Sequence, residues 1–184
     1  MKITKVSVLH VHMIQTDPGE KGQRPILVRI DTDEGIYGIG EIGMAYGCGG
    51  TAAVGMVRDL ATKIIGMNPL NTEAIWEKLL KTTFWGQGGG TVIFGGISGI
   101  DIALWDIKGK VWGAPVYQLL GGKCRDDLRV YASQIQLGWA PKRNICCTPE
   151  DYAREARKAV DEGYDAVKVD VLQWDENGVS GGFW

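Results

Sequence analysis

Lys168 and Asp170 stand two positions apart in the segment YDAVKVDVLQW, residues 164–174, which is otherwise rich in apolar residues. Side chains on a β-strand alternate between its two faces, so this spacing places an ammonium group and a carboxylate on the same face. A lysine there can hold a substrate carboxylate or move a proton. The two charges also fit a structural ion pair or strand-end charges that reach solvent, and the pattern alone leaves these interpretations open.

The residues before this segment predict how it is positioned. The run LRVYASQIQ, residues 128–136, is typical of a strand, and the following polar stretch predicts a helix. Thr148 suits its N-cap, Pro149 its first position and Gly163 its left-handed C-terminal cap. A strand, a helix and a buried strand form a parallel unit with a right-handed crossover. Parallel sheets place ligand sites at the carboxyl ends of their strands, which is where Lys168 and Asp170 would lie.

The first two thirds of the chain show a different pattern. Residues 2–14 and 26–41 alternate as strands do and predict an antiparallel meander that turns at Asp33-Glu34-Gly35. Helical periodicity then begins at Thr51, again after the cap Asn71, and over about residues 97–111. We therefore predict two domains, an α+β domain over residues 1–122 and the opening of an α/β domain over residues 123–184.

Composition limits the kinds of partner. The 184 residues are 45% hydrophobic and 23% charged, with a formal net charge of −2, which indicates a globular protein and argues against binding to a nucleic-acid backbone. No apolar run is long enough to cross a bilayer. Cys48, Cys124, Cys146 and Cys147 lack the paired spacing of a zinc site. We expect free thiols and a cytoplasmic location.

Three further motifs have simpler explanations than chemistry. The glycines at positions 86–90 lack the strand before them that a phosphate-binding loop needs, so a flexible loop between helices is favoured. His10 and His12 share one strand face, but no third metal ligand lies at a recognisable spacing. Glu41 opens a glycine-rich segment that could form a mobile lid.

Three ordered segments carry a family resemblance. They are TDEGIYGIGE (residues 32–41), GMNPLNTEAIWEKL (residues 66–79) and SGIDIALWDIKGKVWGAPVYQLLGGKCRDDLRVYAS (residues 98–133). The chain resembles the N-terminal part of enolase-superfamily enzymes of the mandelate racemase group. That resemblance implies an α+β capping domain followed by the first strands of a (β/α)7β barrel. It also implies removal of a proton next to a carboxylate, with Mg²⁺ stabilising the enediolate.

The resemblance also implies roles for the two charged residues. Residues 131–134 and 166–171 would be the first two barrel strands, so the family's Lys-x-Lys pair falls on Lys168 and Asp170. An aspartate in the second position disfavours two-lysine chemistry and resembles the acid-sugar dehydratases. Lys168 would then orient the substrate carboxylate, while Asp170 would hydrogen-bond substrate hydroxyls or Lys168. A racemase or epimerase, or a non-catalytic capping-domain fragment, are the alternatives.

Two loops match the family's specificity loops, residues 15–24 and 43–50. Their predicted substrate-binding residues are Gln15, Thr16, Lys21, Arg24 and Tyr46. The family's three carboxylate Mg²⁺ ligands come from barrel strands later than those in this sequence, so we expect a truncated chain that is inactive alone and holds no catalytic metal. The complete enzyme is expected to be a homo-oligomer acting on a small sugar acid, with no nucleic-acid or membrane partner.

Overall fold

The computed structural model of the protein describes residues 1–11, 25–44, 49–138, 145–171, 174–175 and 177–179. The chain divides into two compact units, Met1–Lys123 and Cys124–Trp184, here called the first and the second unit. None of the helices in the described residues combines the length and apolarity that a membrane crossing requires.

The first unit opens with a three-stranded antiparallel sheet in the order β1-β2-β3. Its strands are β1 (Ile3–His10), β2 (Ile26–Thr32) and β3 (Tyr37–Ile42). The turn between β2 and β3 passes through Gly35 at φ 78°, a left-handed conformation that suits glycine. The predicted meander is confirmed because the period-two pattern of these residues marks strands that bury one face.

Four helices follow in the first unit. They are α1 (Gly50–Ile64), α2 (Thr72–Lys81), α3 (Thr91–Trp112) and the single turn α4 (Val116–Leu119). Asn71 is the N-cap residue of α2, as predicted. The predicted start of α3 near Ile97 is wrong, because the helix begins at Thr91, directly after Gly90. Glycines and β-branched residues in its first turns weaken the helical signal, and tertiary packing overrides it.

Helix α3 lies close against β3 because two glycines of the strand face the backbone of the helix. A Cβ atom at Gly38 would overlap the carbonyl oxygen of Ala103, and one at Gly40 would overlap that of Gly99. The carboxylate of Asp106 ties the two elements together by accepting a hydrogen bond from the backbone N–H of Ile39 at 2.8 Å. The sheet and the helices enclose one apolar core. Its buried members are Ile3, Ile26, Val28, Ile30, Ile42, Ala53, Val54, Val57, Leu60, Ile64, Ile75, Leu79, Ile93, Ile97, Ile100, Ala103, Leu104 and Ile107.

The second unit contains the predicted strand-helix-strand arrangement. Strands β4 (Ala132–Ser133) and β5 (Val167–Lys168) pair in parallel, and helix α5 (Pro149–Asp161) lies between them in sequence. The helix begins as predicted, with Thr148 as the N-cap residue and proline at the first position. Gly163 follows it at φ 95°, in the left-handed conformation that was predicted.

Both strands of the second unit are shorter than predicted. The first does not extend over residues 128–136, because Gln134 takes a left-handed conformation (φ 57°) and a 3₁₀ turn follows over Ile135–Leu137. The second was predicted over residues 166–171 as a buried strand, but Val167 is 41% exposed and Val171 is 59% exposed. Val169 alone of these three valines packs against the small apolar cluster of Ala132, Ile135 and Ala159. Little apolar surface therefore covers this sheet within the described residues.

Candidate functional site

Lys168 and Asp170 lie at the carboxyl end of β5, where the parallel arrangement predicts a ligand site. Lys168 is the last residue of the strand and pairs in register with Ser133 of β4. Asp170 follows two residues later, beyond the strand, and both residues are exposed. Val169 between them packs toward the small apolar cluster, so the alternation that the sequence predicts is retained past the end of the hydrogen-bonded pairing.

The hydrogen-bond partner of Asp170 is a glutamine that the sequence did not single out. Gln136 Nε2 donates to Asp170 Oδ2 at 3.2 Å, and the backbone N–H of Asp170 donates to Gln136 Oε1 at 3.3 Å. Gln136 is fully buried. Within the described residues, no ion pair joins Lys168 to Asp170, so the structural ion pair suggested by their spacing does not form.

The short turn after β4 carries Gln136 into the interior. Once Gln134 leaves the strand conformation, the 3₁₀ turn Ile135–Leu137 follows. Cys146 fastens this turn, since its backbone N–H donates to the carbonyl of Gln136 at 2.9 Å and its thiol donates to the carbonyl of Ile135 at 3.4 Å. Burial raises the pKa of the Cys146 thiol, which keeps the thiol protonated and able to donate.

Helix α5 supports the site from its first turns. Thr148 accepts a hydrogen bond from the backbone N–H of Asp151, and the Asp151 carboxylate accepts one from that of Thr148 at 3.1 Å, which completes a capping box. An ion pair with Arg154, together with backbone N–H groups at the helix entry, lowers the pKa of Asp151 to about 2. The hydroxyl of Tyr152 then donates to the carbonyl of Val171 at 3.4 Å. Helix α5 therefore contacts the backbone of the residue that follows Asp170.

Two other residues considered in the sequence, His10 and Glu41, belong to the first unit, whereas Lys168 and Asp170 belong to the second. His10 lies exposed at the end of β1, whereas His12 and the predicted substrate-binding residues Gln15, Thr16, Lys21, Arg24 and Tyr46 lie outside the described residues. Glu41 borders an open groove of about 560 Å³ that is lined largely by Met44, Phe94 and Ile102.

The glycine-rich segment between α2 and α3 departs in part from its predicted form. It contains a 3₁₀ turn over Trp85–Gly88 and then opens helix α3 at Gly90. Opening a helix is one part of the context that a phosphate-binding loop requires, but the segment follows a helix instead of a strand. A phosphate-binding loop is therefore still disfavoured.

Metal binding can be tested against the side chains that the structure describes. Among them, no three or more His, Cys, Asp or Glu side chains gather closely enough to hold a metal ion. The ammonium of Lys168 is a donor and cannot act as a ligand in the way that a carboxylate does. The site around Lys168 and Asp170 therefore does not itself fit Mg²⁺.

The fold and the site together define a class. An antiparallel sheet packed on helices precedes a parallel strand-helix-strand unit that displays polar residues at the carboxyl ends of its strands, the position that barrel proteins use for ligands. Residues 3–121 match the sequence profile of the mandelate racemase/muconate lactonizing enzyme N-terminal domain. The chain belongs to this family of the enolase superfamily.

Individual relatives agree with this assignment. The D-mannonate dehydratase of Novosphingobium aromaticivorans is 35% identical over 169 residues, which are 92% of this chain and 37% of that protein. A solved structure from Zymomonas mobilis is 64% identical with a TM-score of 0.91, over 98% of this chain and 45% of that one. A Pantoea ananatis enolase solved with bound D-gluconate and Mg is 33% identical with a TM-score of 0.74, over 92% of this chain and 36% of that one.

Other curated relatives are named D-xylonate dehydratase and D-galactonate dehydratase. The chain thus resembles acid-sugar dehydratases, and it spans about a third of the length of the curated relatives that it matches.

Proposed function

We propose that this chain supplies the capping domain and the first two barrel strands of an acid-sugar dehydratase. The single observation that carries the proposal is the Lys-x-Asp pair, Lys168 and Asp170, exposed at the carboxyl end of the second parallel strand. The dehydratase names of the relatives support the reaction class. The residues that complete the site are proposed to come from the portion of those relatives that this chain does not span.

Lys168 is proposed to hold the substrate carboxylate. Its ammonium is exposed, and the described residues offer it no carboxylate within ion-pair distance, so its charge is available for a ligand. A positive charge next to the substrate carboxylate lowers the cost of the second negative charge that develops when the adjacent carbon loses its proton. Lys168 therefore acts both in orientation and in stabilising charge.

Asp170 is proposed to accept a hydrogen bond from a substrate hydroxyl. Gln136 occupies Oδ2 of the carboxylate, which leaves Oδ1 facing no partner among the described residues. A polyhydroxy acid presents several hydroxyl donors, and a fixed carboxylate oxygen distinguishes their positions. Because a carboxylate cannot serve as an ammonium acid, the pair favours elimination of water over the two-base chemistry of a racemase or epimerase.

The proposed reaction removes the proton next to the carboxylate and forms an enediolate. Loss of hydroxide from the neighbouring carbon, protonated as it leaves, gives an enol that becomes a 2-keto-3-deoxy acid. The complete enzyme is proposed to use Mg²⁺, which offsets the charge of the enediolate when bound. Its ligands and the base that takes the proton would not be Lys168 or Asp170.

A chimeric enzyme tests this proposal. Residues 1–171 of this chain replace the matching segment of the N. aromaticivorans D-mannonate dehydratase, and the purified chimera is assayed with D-mannonate, D-xylonate, D-galactonate and D-gluconate in the presence of Mg²⁺. We expect a 2-keto-3-deoxy acid from at least one substrate. Lys168→Met should lower kcat/KM by about 100-fold, as loss of one charge-stabilising donor does in other active sites. Lys78→Met, a change at an exposed lysine of α2, is the matched control.

Two outcomes would contradict the proposal. Exchange of the C2 hydrogen with solvent deuterium without any keto acid would indicate a racemase or epimerase. A folded chimera that neither eliminates water nor exchanges that hydrogen would favour a non-catalytic domain. Equal losses of kcat/KM in the Lys168→Met and Lys78→Met variants would show that Lys168 has no specific role in the reaction.

We also propose the cytoplasm as the location and a homo-oligomer as the state of the complete enzyme. Cys124, Cys146 and Cys147 are free thiols, which suits a reducing compartment. The exposed valines at positions 167 and 171 offer apolar surface for further packing.

A further inference from the structure

Gln136 is an uncharged polar side chain, and it is buried completely in a unit whose described residues form only a small apolar cluster. A buried amide is costly unless its donor and acceptor are both paired. Both ends of this amide contact the same residue, Asp170, which lies 34 positions later in the chain. The amide thus contacts Asp170 through both its donor and its acceptor, which a residue that only fills space would not do.

The two contacts fix different parts of Asp170. Gln136 Oε1 accepts from the backbone N–H, which sets where the residue sits, while Nε2 donates to Oδ2, which sets how its carboxylate turns. The backbone hydrogen bond alone would leave the carboxylate free to rotate about the Cα–Cβ bond of Asp170. Two bonds from one planar amide restrict both position and rotation.

The two hydrogen bonds between Gln136 and Asp170, here called the glutamine clamp, are supported by neighbouring contacts on both sides. Cys146 anchors the turn that carries Gln136 through its backbone N–H and its thiol. Tyr152 of α5 donates to the carbonyl of Val171, the residue after Asp170. The amide of Gln136 therefore connects two segments that are each held in place. Cys146 holds the turn Ile135–Leu137, and Tyr152 of α5 holds the backbone after Asp170.

We propose that Gln136 is the positioning residue for Asp170. It fixes the orientation of the carboxylate whose second oxygen, Oδ1, accepts a hydrogen bond from a hydroxyl of the sugar acid. The catalytic consequence rests on the proposed function; the positioning itself does not. Because the amide is neutral, it orients the carboxylate without cancelling its charge. A lysine in this place would neutralise Asp170, and a glutamate would repel it.

The rotamer of Asp170 tests the proposal in the chain itself. Three-bond NMR couplings to Asp170 Cγ should show a single χ1 rotamer in the unaltered chain. Gln136→Leu should give averaged couplings, while Ser133→Ala, a change on the neighbouring strand, should leave one rotamer. In Gln136→Glu two carboxylates face each other, so averaging is expected there too. Adding Asp170→Asn to that variant restores one donor and one acceptor in reversed order, and one rotamer should return.

Hydrogen exchange of the α5 backbone amides shows whether each variant keeps its fold. Averaged couplings in the unaltered chain would overturn the proposal, as would one rotamer in a folded Gln136→Leu variant. If Gln136→Leu unfolds the second unit, the reversed pair decides. A folded Gln136→Glu/Asp170→Asn variant with one rotamer supports the proposal, and one that is unfolded or averaged assigns Gln136 to general packing.

The chimera then separates positioning from function. There, Gln136→Leu should raise KM by about 10-fold with little change in kcat, the loss expected when a hydrogen bond to one hydroxyl is no longer fixed. The reversed pair should recover part of this loss, because an amide at position 170 can still accept from a hydroxyl. A folded chimera that neither eliminates water nor exchanges the C2 hydrogen contradicts the proposed function, and the rotamer result is unaffected.

Discussion

The two units of this chain are stabilised in different ways. In the first unit, three strands and the long helix α3 enclose a continuous core of buried aliphatic side chains, and glycines bring α3 into contact with β3. Among the described residues of the second unit, the buried apolar cluster consists of Ala132, Ile135 and Ala159. Polar contacts take a larger part there, including the capping box of α5 and the glutamine clamp on Asp170.

The candidate site lies in the unit whose described residues form the smaller apolar cluster. Polar groups that must meet a substrate cannot all be enclosed in apolar packing, so specific hydrogen bonds position them. Buried Glu155 of α5 follows the same rule, because ion pairs with Arg154 and Lys158 (3.1 Å each) compensate for its burial. From this difference we expect that removing apolar groups lowers stability most in the first unit. Removing single polar groups should lower stability most in the second unit.

The largest effect is expected from a cavity in the first unit. Ile100→Ala removes a side chain that is 0% exposed, and such substitutions cost about 2–5 kcal/mol. Ile102→Ala on the same helix is the matched control, since that side chain is 49% exposed and its loss should cost under about 0.5 kcal/mol. Hydrogen exchange of α3 amides measures both. Equal losses of stability in the Ile100→Ala and Ile102→Ala variants would mean that the buried face of α3 does not stabilise this helix.

A smaller effect is expected from filling the contact between α3 and β3. Gly40→Ala places a methyl group against the carbonyl oxygen of Gly99, and such overpacking costs about 1–3 kcal/mol. Gly43→Ala is the control, because a Cβ there meets nothing within 4 Å. Urea unfolding followed by the exchange of β3 amides compares them. A stable Gly40→Ala variant would show that the sheet and the helix can separate without loss.

In the second unit, one hydroxyl is expected to matter. Thr148→Ala removes the oxygen that accepts from the backbone N–H of Asp151 at 3.3 Å, and loss of an N-cap side chain costs about 1 kcal/mol. Thr148→Ser keeps the oxygen and should retain most of the stability. Exchange of α5 amides is the measurement. An alanine variant as stable as the serine variant would contradict the role given to polar contacts in this unit.

The smallest effect concerns the charge of Asp151. Its pKa is lowered from 3.8 to about 2 in the folded state, chiefly by Arg154, so the stability that it adds is complete above about pH 3.8. That contribution falls as the pH drops toward 2, because the unfolded chain binds the proton first. Between pH 5 and 2, the helical circular dichroism signal of the whole chain should therefore decline less in Asp151→Asn than in the unaltered chain. Parallel declines would assign the acid sensitivity to other groups.

Local signals predicted much of the fold. Alternating residues predicted the meander of the first unit, and cap residues predicted where α2 and α5 begin, at Asn71 and Thr148. These features depend on neighbours in sequence, so they can be read without tertiary structure. Local sequence signals could not predict the early start of α3 or the short length of β4. The first depends on packing against the sheet, and the second on one left-handed residue, Gln134.

The candidate site shows the same division. The spacing of Lys168 and Asp170, with their place after a predicted helix, was enough to single them out. Gln136 was missed because it stood at the end of a strand predicted over residues 128–136, where a glutamine carries no signal of burial. The observed chain leaves the strand conformation at Gln134. The sequence alone determined the elements, their order and two polar residues of the site, because propensity and periodicity are local. Only the tertiary structure decided that Gln136 contacts Asp170, since that pairing joins residues 34 positions apart and depends on how a turn is anchored.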